Sequence, residues 1–411
     1  MADRPPRAVA ESRSDWLVVV ASTFGLAASV THLYSMGMFI LPLEREFGWP
    51  RGSIAGGLTV VSVISVVLAP AIGLLVDRVG SRRVAIPGMA IYCLAIALLA
   101  TTTASIWHWW GLWALIAFGT VLIKPTVWAA AIAGRFTRRR GLALGLALCG
   151  TGIGLGVMPS IANSLLEYGG WRFAYLSLGA GAALIGLPMI LLFFHDPPAR
   201  GAGGSNRALL PGYTIAEGLR STKFLRLALA SLLITTAIIS LSVHFVPILA
   251  SLAVSRGDAA AIASSIGIAS ITGRIASGYL LDRYSGPLIA AISFGLPILA
   301  CVLLLTFDGS HVSAIVIGLV IGASLGAEID VVAFLSARYF GLRNYGFLFG
   351  SIAGLLSLGA GLGPTLAGMI YDRYGSYEPL MWALIPVFLV SAALVGSLGR
   401  YPIFDEPVPP A

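Results

Sequence analysis

The chain has 411 residues, of which 57% are hydrophobic and only 11% charged, with a mean hydropathy of +0.90. A soluble protein this apolar would expose more greasy surface than a monomer tolerates, so soluble domains are excluded and lipid is the solvent. The net charge of +8 would suggest nucleic acid in a soluble chain, but here it is read by its position along the membrane.

A transmembrane helix needs about 20 mainly apolar residues. After a polar tail at 1–15, twelve stretches qualify: 16–42, 53–76, 84–104, 108–134, 142–167, 172–195, 222–250, 260–281, 287–307, 312–339, 346–370 and 378–398. A second tail, 399–411, follows. The predicted fold class is an all-α membrane protein. The first stretch is too long for a signal-peptide core, so it is expected to stay as a span. It carries His32 and Tyr34, both polar groups able to face a cavity. A lone histidine on an apolar face is often a satisfied packing residue, yet His32 and His244 in span 7 are each candidates for proton transfer or substrate contact.

Between spans 2 and 3 runs Gly73-Leu-Leu-Val-Asp77-Arg78-Val-Gly80-Ser-Arg82-Arg83, echoed after span 8 by Gly278-Tyr-Leu-Leu-Asp282-Arg283. An acidic residue at one helix end can cap the N-terminus of a neighbour while nearby arginines pair with it, so the loop can latch two helix bundles in one state and release them in another. Gly73, Asp77, Arg78, Arg82, Asp282 and Arg283 are therefore candidate gate residues. Here the chain resembles the major facilitator superfamily over nearly its whole length. The resemblance implies two pseudo-symmetric six-helix bundles that work by alternating access.

In span 4, Lys124 lies about 11 residues from Arg135, roughly 16 Å deep at 1.5 Å per residue. Trp128 follows one turn later on the same face, where it can pack or stack on an aromatic acid. His108 among Trp107, Trp109 and Trp110 reads as an interfacial belt. Entering span 5, Phe136-Thr-Arg138-Arg139-Arg140-Gly-Leu142-Ala143-Leu-Gly145-Leu-Ala147-Leu-Cys149-Gly150-Thr-Gly-Ile-Gly154 is similar to the monocarboxylate transporter signature. Asp15-Trp16 before Val18-Val19-Val20, and Gly375-Ser-Tyr377 before span 12, resemble other features of that branch. The glycines 150, 152, 154 and 156 before Pro159, and 354, 359, 361 and 363 before Pro364, resemble an antiporter motif, but small residues along one face also serve plain close packing. Asn163, also in span 5, can contact substrate or bond a neighbouring helix.

Residues 196–221, rich in Pro and Gly, form the only long polar interruption and divide bundle 16–195 from bundle 222–398. An offset of 205 maps Pro42 onto Pro247, Gly73 onto Gly278, Asp77 onto Asp282, Arg78 onto Arg283, Gly145 onto Gly350, Gly154 onto Gly359, Gly156 onto Gly361 and Pro159 onto Pro364. Six intervening spans give both copies the same orientation, the parallel repeat expected of two bundles rocking about a midplane site. Nineteen Lys and Arg fall in the tails and loops on the side of both termini, against five, Arg45, Arg51, Arg172, Arg256 and Arg373, on the other. That bias predicts cytoplasmic termini.

Arg274 in span 8, with Glu328 and Asp330 in span 10, joins Lys124 too deep for easy snorkelling. At about 2.5–3.5 kcal/mol each on isolated helices, four such charges cost on the order of 10–14 kcal/mol against lipid, so they must face one another or a wet cavity. Two cations and two carboxylates sum to zero, and an entering anion leaves net negative charge in a low dielectric unless a proton accompanies it. Burial favours the neutral acid and a nearby cation favours the carboxylate, so occupying that cation with substrate promotes protonation of Glu328 or Asp330. The two acids stand about 200° apart around a helix, so one should face the cavity and the other a neighbouring helix. Arg274 is the first choice for gripping a carboxylate bidentately, with Lys124 beside it. The family resemblance implies an arginine at that position. The family's acid four residues earlier is Ser270 here and its span-1 lysine has no counterpart, so Lys124 and the span-10 acids are expected to take over the proton relay.

These residues point to a monomeric secondary transporter that symports a small organic monocarboxylate with protons. The alternatives are an organic-anion exchanger, possibly for dicarboxylates, a proton-driven exporter, or a structural ionic lock between spans 4 and 10. Neither a domain-sized appendage for sensing nor a catalytic or metal motif at a membrane-facing site is evident, so neither enzyme nor cofactor is expected. With 24 Arg against 2 Lys, the composition suggests a GC-rich bacterial genome and hence the inner membrane.

Overall fold

The computed structural model describes residues 13–136, 139–196, 212–341, 343–402 and 404. The tails, most of the linker and Arg138 of the span-5 signature lie outside them. Its helices are α1 (Arg13–Ser29), α2 (Thr31–Tyr34), α3 (Met36–Phe47), α4 (Arg51–Val79), α5 (Ser81–Leu98), α6 (Ile106–Leu122), α7 (Pro125–Arg135), α8 (Arg140–Phe193), α9 (Ile215–Arg220), α10 (Thr222–Ser251), α11 (Arg256–Leu281), α12 (Gly286–Gly295), α13 (Pro297–Leu305), α14 (His311–Phe340), α15 (Tyr345–Tyr374) and α16 (Glu378–Gly396).

Eleven helical stretches are long and apolar enough to cross a membrane. One of them, Leu142–Phe193, runs for 52 residues, about 78 Å of helix and enough for two crossings. It turns at Gly170, where φ of 76° is open to glycine without the steric penalty a Cβ would bring. That turn separates the expected spans 5 and 6. Three other spans are interrupted. Span 1 is α1, α2 and α3 in series, broken near Val30 and Ser35; span 9 breaks before Pro297; and span 4 breaks at Ile123–Lys124. Pro125 explains the last break, because it disfavours helix in the residue before it and lacks an amide donor, but it suits the first turn of α7.

In the first half α8 packs on α1 and α5, and α6 on α4 and α5; in the second, α14 packs on α11 and α12, and α10 on α15 and α16. The repeat is visible in this packing. Gly154 sits against the Ala27 carbonyl of span 1, and Gly359 against Leu232 of span 7, pairs related by the same offset of 205. The halves meet along two seams, α4 on α15 and α8 on α11. Gly361 presses on Ser62 in one seam and Gly156 on Gly267 in the other, again related by 205. Thr59 and Thr365 hydroxyls lie 2.7 Å apart in the first, and Ser160 and Ser264 hydroxyls 3.2 Å apart in the second. Except at Gly354, the glycine runs of spans 5 and 11 are thus occupied by close packing, within and between bundles.

One face of the molecule is rich in arginine and carries the first and last described residues. There Arg135 pairs with Asp15 at 2.9 Å and donates to the carbonyls of His195 and Asp196. The linker helix α9 docks onto the second half at this face, its Gly218 against Leu348 and its capping box closed between Thr214 and Glu217. Bonds from the Thr214 amide and hydroxyl hold the Glu217 carboxyl below its usual value.

Candidate functional site

A cavity of about 150 Å³ lies between the halves, bounded by Tyr34 from α2, Thr151, Gly152 and Leu155 from α8, Ile239 from α10, Ser270 and Arg274 from α11, and Leu325, Gly326, Glu328 and Ile329 from α14. Arg274 therefore faces the interior rather than lipid. Its Nη1 lies 3.2 Å from Asp330 Oδ1. The two side chains are 18% and 29% exposed, so the pair is reachable and mutually neutralised. Glu328 is deeper, at 7% exposure, and accepts a hydrogen bond from Thr235 Oγ1 on α10. Glu328 borders the cavity and bonds α10, while Asp330 bonds α11 through Arg274. The ionic pair joins spans 8 and 10, not 4 and 10.

Toward the face opposite the arginine-rich one, the cavity is sealed. A void of only about 10 Å³ continues past Tyr34 and Leu155, walled by Pro159, Ser242, Ala263 and Ile266 among others, and holds little more than one water. Beyond it the helix ends clasp: the Arg51 and Gly52 amides of α4 each donate to Asp372 of α15 at 2.8 Å. Toward the arginine-rich face the seams part. Beyond its own helical turns, no described atom lies within 4 Å of where a side chain would begin at Gly73, Gly145, Gly278 or Gly350. The cavity opens to that side.

Among the described residues, Arg78, Arg82, Asp282 and Arg283 make no cross-bundle hydrogen bond or ion pair in this state. Arg78, Asp282 and Arg283 are exposed, and Arg283 stacks on Tyr279 of its own helix at 4.0 Å. The Arg82 amide donates to Asp196 at 2.9 Å and its guanidinium to the Leu191 carbonyl at 2.6 Å, both within the first half. The Asp77 side chain lies outside the described residues.

Five of the expected substrate contacts are placed elsewhere. Lys124 caps the broken end of α7 and is not among the cavity-lining residues; its Nζ is 3.5 Å from Ser357 Oγ of α15, across the other seam. Trp128 is fully buried: its Nε1 donates to the Ile123 carbonyl freed by the break, at 2.8 Å, and its ring covers Gly25 and meets Phe194 edge-on. It braces the break and is not among the residues lining the cavity. His244 is fully buried with both ring nitrogens engaged, Nδ1 with Tyr377 Oη at 2.8 Å and Nε2 with the Pro364 carbonyl at 2.9 Å. Asn163 donates from Nδ2 to Glu167 at 2.8 Å, one turn along its own helix toward the sealed face. His32 is not among the cavity-lining residues either: it bonds Tyr92 Oη through Nδ1 at 2.9 Å and meets Trp113 edge-on. Tyr34 does line the cavity.

Thr235 and Ile239 were missed from sequence. A threonine in an apolar helix ordinarily bonds back to its own turn, as Thr235 also does to Ser231 at 2.8 Å, so residue type gives no signal. Ile239 is reached by adding 205 to Tyr34, a signal the repeat did carry.

A helical membrane fold whose halves part on one side around a charged cavity is the architecture of a membrane carrier. Residues 17–330 match the model of the Major Facilitator Superfamily, and the chain belongs to this family of transporters. It is 25% identical to monocarboxylate transporter 13 of Bos taurus over 95% of this chain and 91% of that one, and 27% identical to monocarboxylate transporter 11 of Homo sapiens over 93% and 81%. An uncharacterized protein of Thermoproteus tenax is 28% identical over 92% and 93%. Among solved structures, the nucleoside transporter NupG superposes with a TM-score of 0.78 at 13% identity, covering 94% of this chain and all of that one. A bacterial homologue of the lysosomal transporter Spinster, inward-facing and unoccupied, gives 0.66 at 16%, covering 93% and 94%. At these identities the solved structures speak for the fold.

Proposed function

We propose that the chain symports a small organic monocarboxylate with a proton. The observation that carries this is the Arg274–Asp330 pair opening onto a cavity that also holds the lone buried carboxyl of Glu328. The site sets two carboxyls against one guanidinium, so a substrate carboxylate that shares Arg274 with Asp330 or displaces it adds negative charge in a low dielectric. A proton taken by Glu328 or Asp330 offsets the charge the anion brings, and anion and proton then favour each other's binding. Tyr34, Thr151 and Ser270 supply hydroxyls along the wall. Lys124 and His32 are assigned structural roles outside the cavity lining, Lys124 reaching across the seam to Ser357 and His32 holding span 1 to Tyr92 of span 3. The distant similarity to monocarboxylate transporters favours the same substrate class.

Arginine bias supports a cytoplasmic arginine-rich face, so the state described is inward-facing, and the gate residues Gly73, Asp77, Arg78, Arg82, Asp282 and Arg283 are assigned to latching that face when the carrier turns outward. Proteoliposomes test the proposal. Uptake of a labelled short monocarboxylate, chosen by thermal-shift screening of carboxylic acids, rises with an inward proton gradient; counterflow indifferent to the gradient would instead establish anion exchange.

A further inference from the structure

The sealed face holds a device that neither the cavity nor the arginine-rich loops explain. At the start of α4 the Arg51 and Gly52 amides each donate to one oxygen of Asp372, from the other half of the molecule. A carboxylate at a helix N-terminus meets unpaired amides and the positive end of the helix dipole. The clasp is reinforced by Arg51 itself, which is 5% exposed, lies 3.5 Å from the Tyr371 ring centroid, donates to Tyr377 Oη at 3.0 Å and is held by Glu44 at 3.0 Å.

Adding 205 to Arg51 and Gly52 gives Arg256 and Gly257, the first residues of α11, and subtracting 205 from Asp372 gives Glu167 at the far end of span 5. The same operation relates the rungs below, Thr59–Thr365 to Ser264–Ser160 and Ser62–Gly361 to Gly267–Gly156. The second seam therefore has its own copy of the clasp. In this state it is not made: Glu167 accepts from Asn163 at 2.8 Å, its Oε1 stands 3.9 Å from where a Gly257 side chain would begin, and α11 is capped by its own Ser255.

We propose that two pseudo-symmetric carboxylate-to-helix clasps, Asp372 on Arg51–Gly52 and Glu167 on Arg256–Gly257, hold the sealed face shut and set the balance between the two access states, with the Asp372 clasp dominant. They mirror on this face the latch that Asp77 and Asp282 are assigned on the other. The inference rests on the carrier fold alone, requires no transported substrate, and stands or falls separately from proton coupling.

Side-specific labelling of a single cysteine tests it. Ser242, which lines the small void below the clasp, is replaced by Cys in a chain whose Cys93, Cys149 and Cys301 are changed to Ser, and a membrane-impermeant maleimide is applied to sealed vesicles from one side at a time. Asp372→Ala is expected to raise labelling from the Arg51 side about tenfold and to lower it from the arginine-rich side, the scale of a typical coupling between states. Gly52→Ala, whose added carbon would lie 2.7 Å from Met369 Cγ and 3.2 Å from Asp372 Oδ2, acts in the same direction without touching a charge. Glu167→Ala has a smaller effect, and the double variant Asp372→Ala with Glu167→Ala exceeds either. Parental labelling from both sides in the cooperatively melting Asp372→Ala and Gly52→Ala proteins overturns the proposal, and so does an equal rise from both sides, which marks loosened packing.

Discussion

Arg274 and Asp330 neutralise each other at 3.2 Å in a place where lipid would tolerate neither alone, and the proposed transport mechanism is built on that local balance. Arg274→Ala removes the anion grip and strands Asp330, so uptake of the labelled acid falls to background, while Arg274→Lys keeps the charge without the fork and retains partial uptake at a raised KM. Glu328→Gln keeps the shape and the bond to Thr235 but cannot change its charge. Gradient-driven uptake by that variant drops at least about tenfold whereas counterflow of the same acid persists, a split that a merely structural glutamate would not produce. These residues were legible in the sequence because ionised groups have few acceptable positions at mid-membrane. Lys124 obeyed the same rule and still went elsewhere, since the chain breaks at its own position and turns it toward Ser357. Under the repeat its counterpart is Ile329, so the polar positions of spans 4 and 10 are near mates without being partners.

Span 4 shows how an element can be placed correctly and built differently. Apolar length marked its limits, but Pro125 divides it into α6 and α7, and Trp128 fills the gap and takes up the stranded Ile123 carbonyl. Trp128→Ala is expected to cost about 3–5 kcal/mol of stability, as for other fully buried large aromatics, and to lower the melting temperature while leaving the KM for substrate unchanged. An effect on KM with no loss of stability would return Trp128 to the cavity. The linker helix α9 carries a different expectation. Because the Glu217 carboxyl is held below its ordinary value when folded, its contribution is present above the usual glutamate range and is lost as pH falls through the lowered value. Protection of the Gly218 amide, corrected for intrinsic exchange, therefore decreases on acidification and recovers on return to neutrality. His244 and Asn163 were open between two roles because a polar side chain in an apolar span reads the same whether its partner is substrate or a neighbouring group. Only the Tyr377 hydroxyl, the Pro364 carbonyl and Glu167 decide it.

The whole molecule was largely legible because the bilayer dictates span length and the duplication left a constant offset, visible in the seams as well as in the loops. What the sequence withheld was the state: whether the halves part toward one face or the other depends on small differences between two sets of contacts, and the clasp of Asp372 on α4 decides it in favour of opening toward the arginine-rich side. In the proposed mechanism anion and proton cross together through the cavity between the halves. The stoichiometry of lumen acidification to labelled monocarboxylate uptake in proteoliposomes tests this, measured beside Arg274→Ala vesicles to subtract passive permeation of the acid. One proton is expected for each anion above that background, with both fluxes lost together in Glu328→Gln; anion uptake without proton movement, or unchanged coupling in Glu328→Gln and Asp330→Asn alike, would contradict the mechanism.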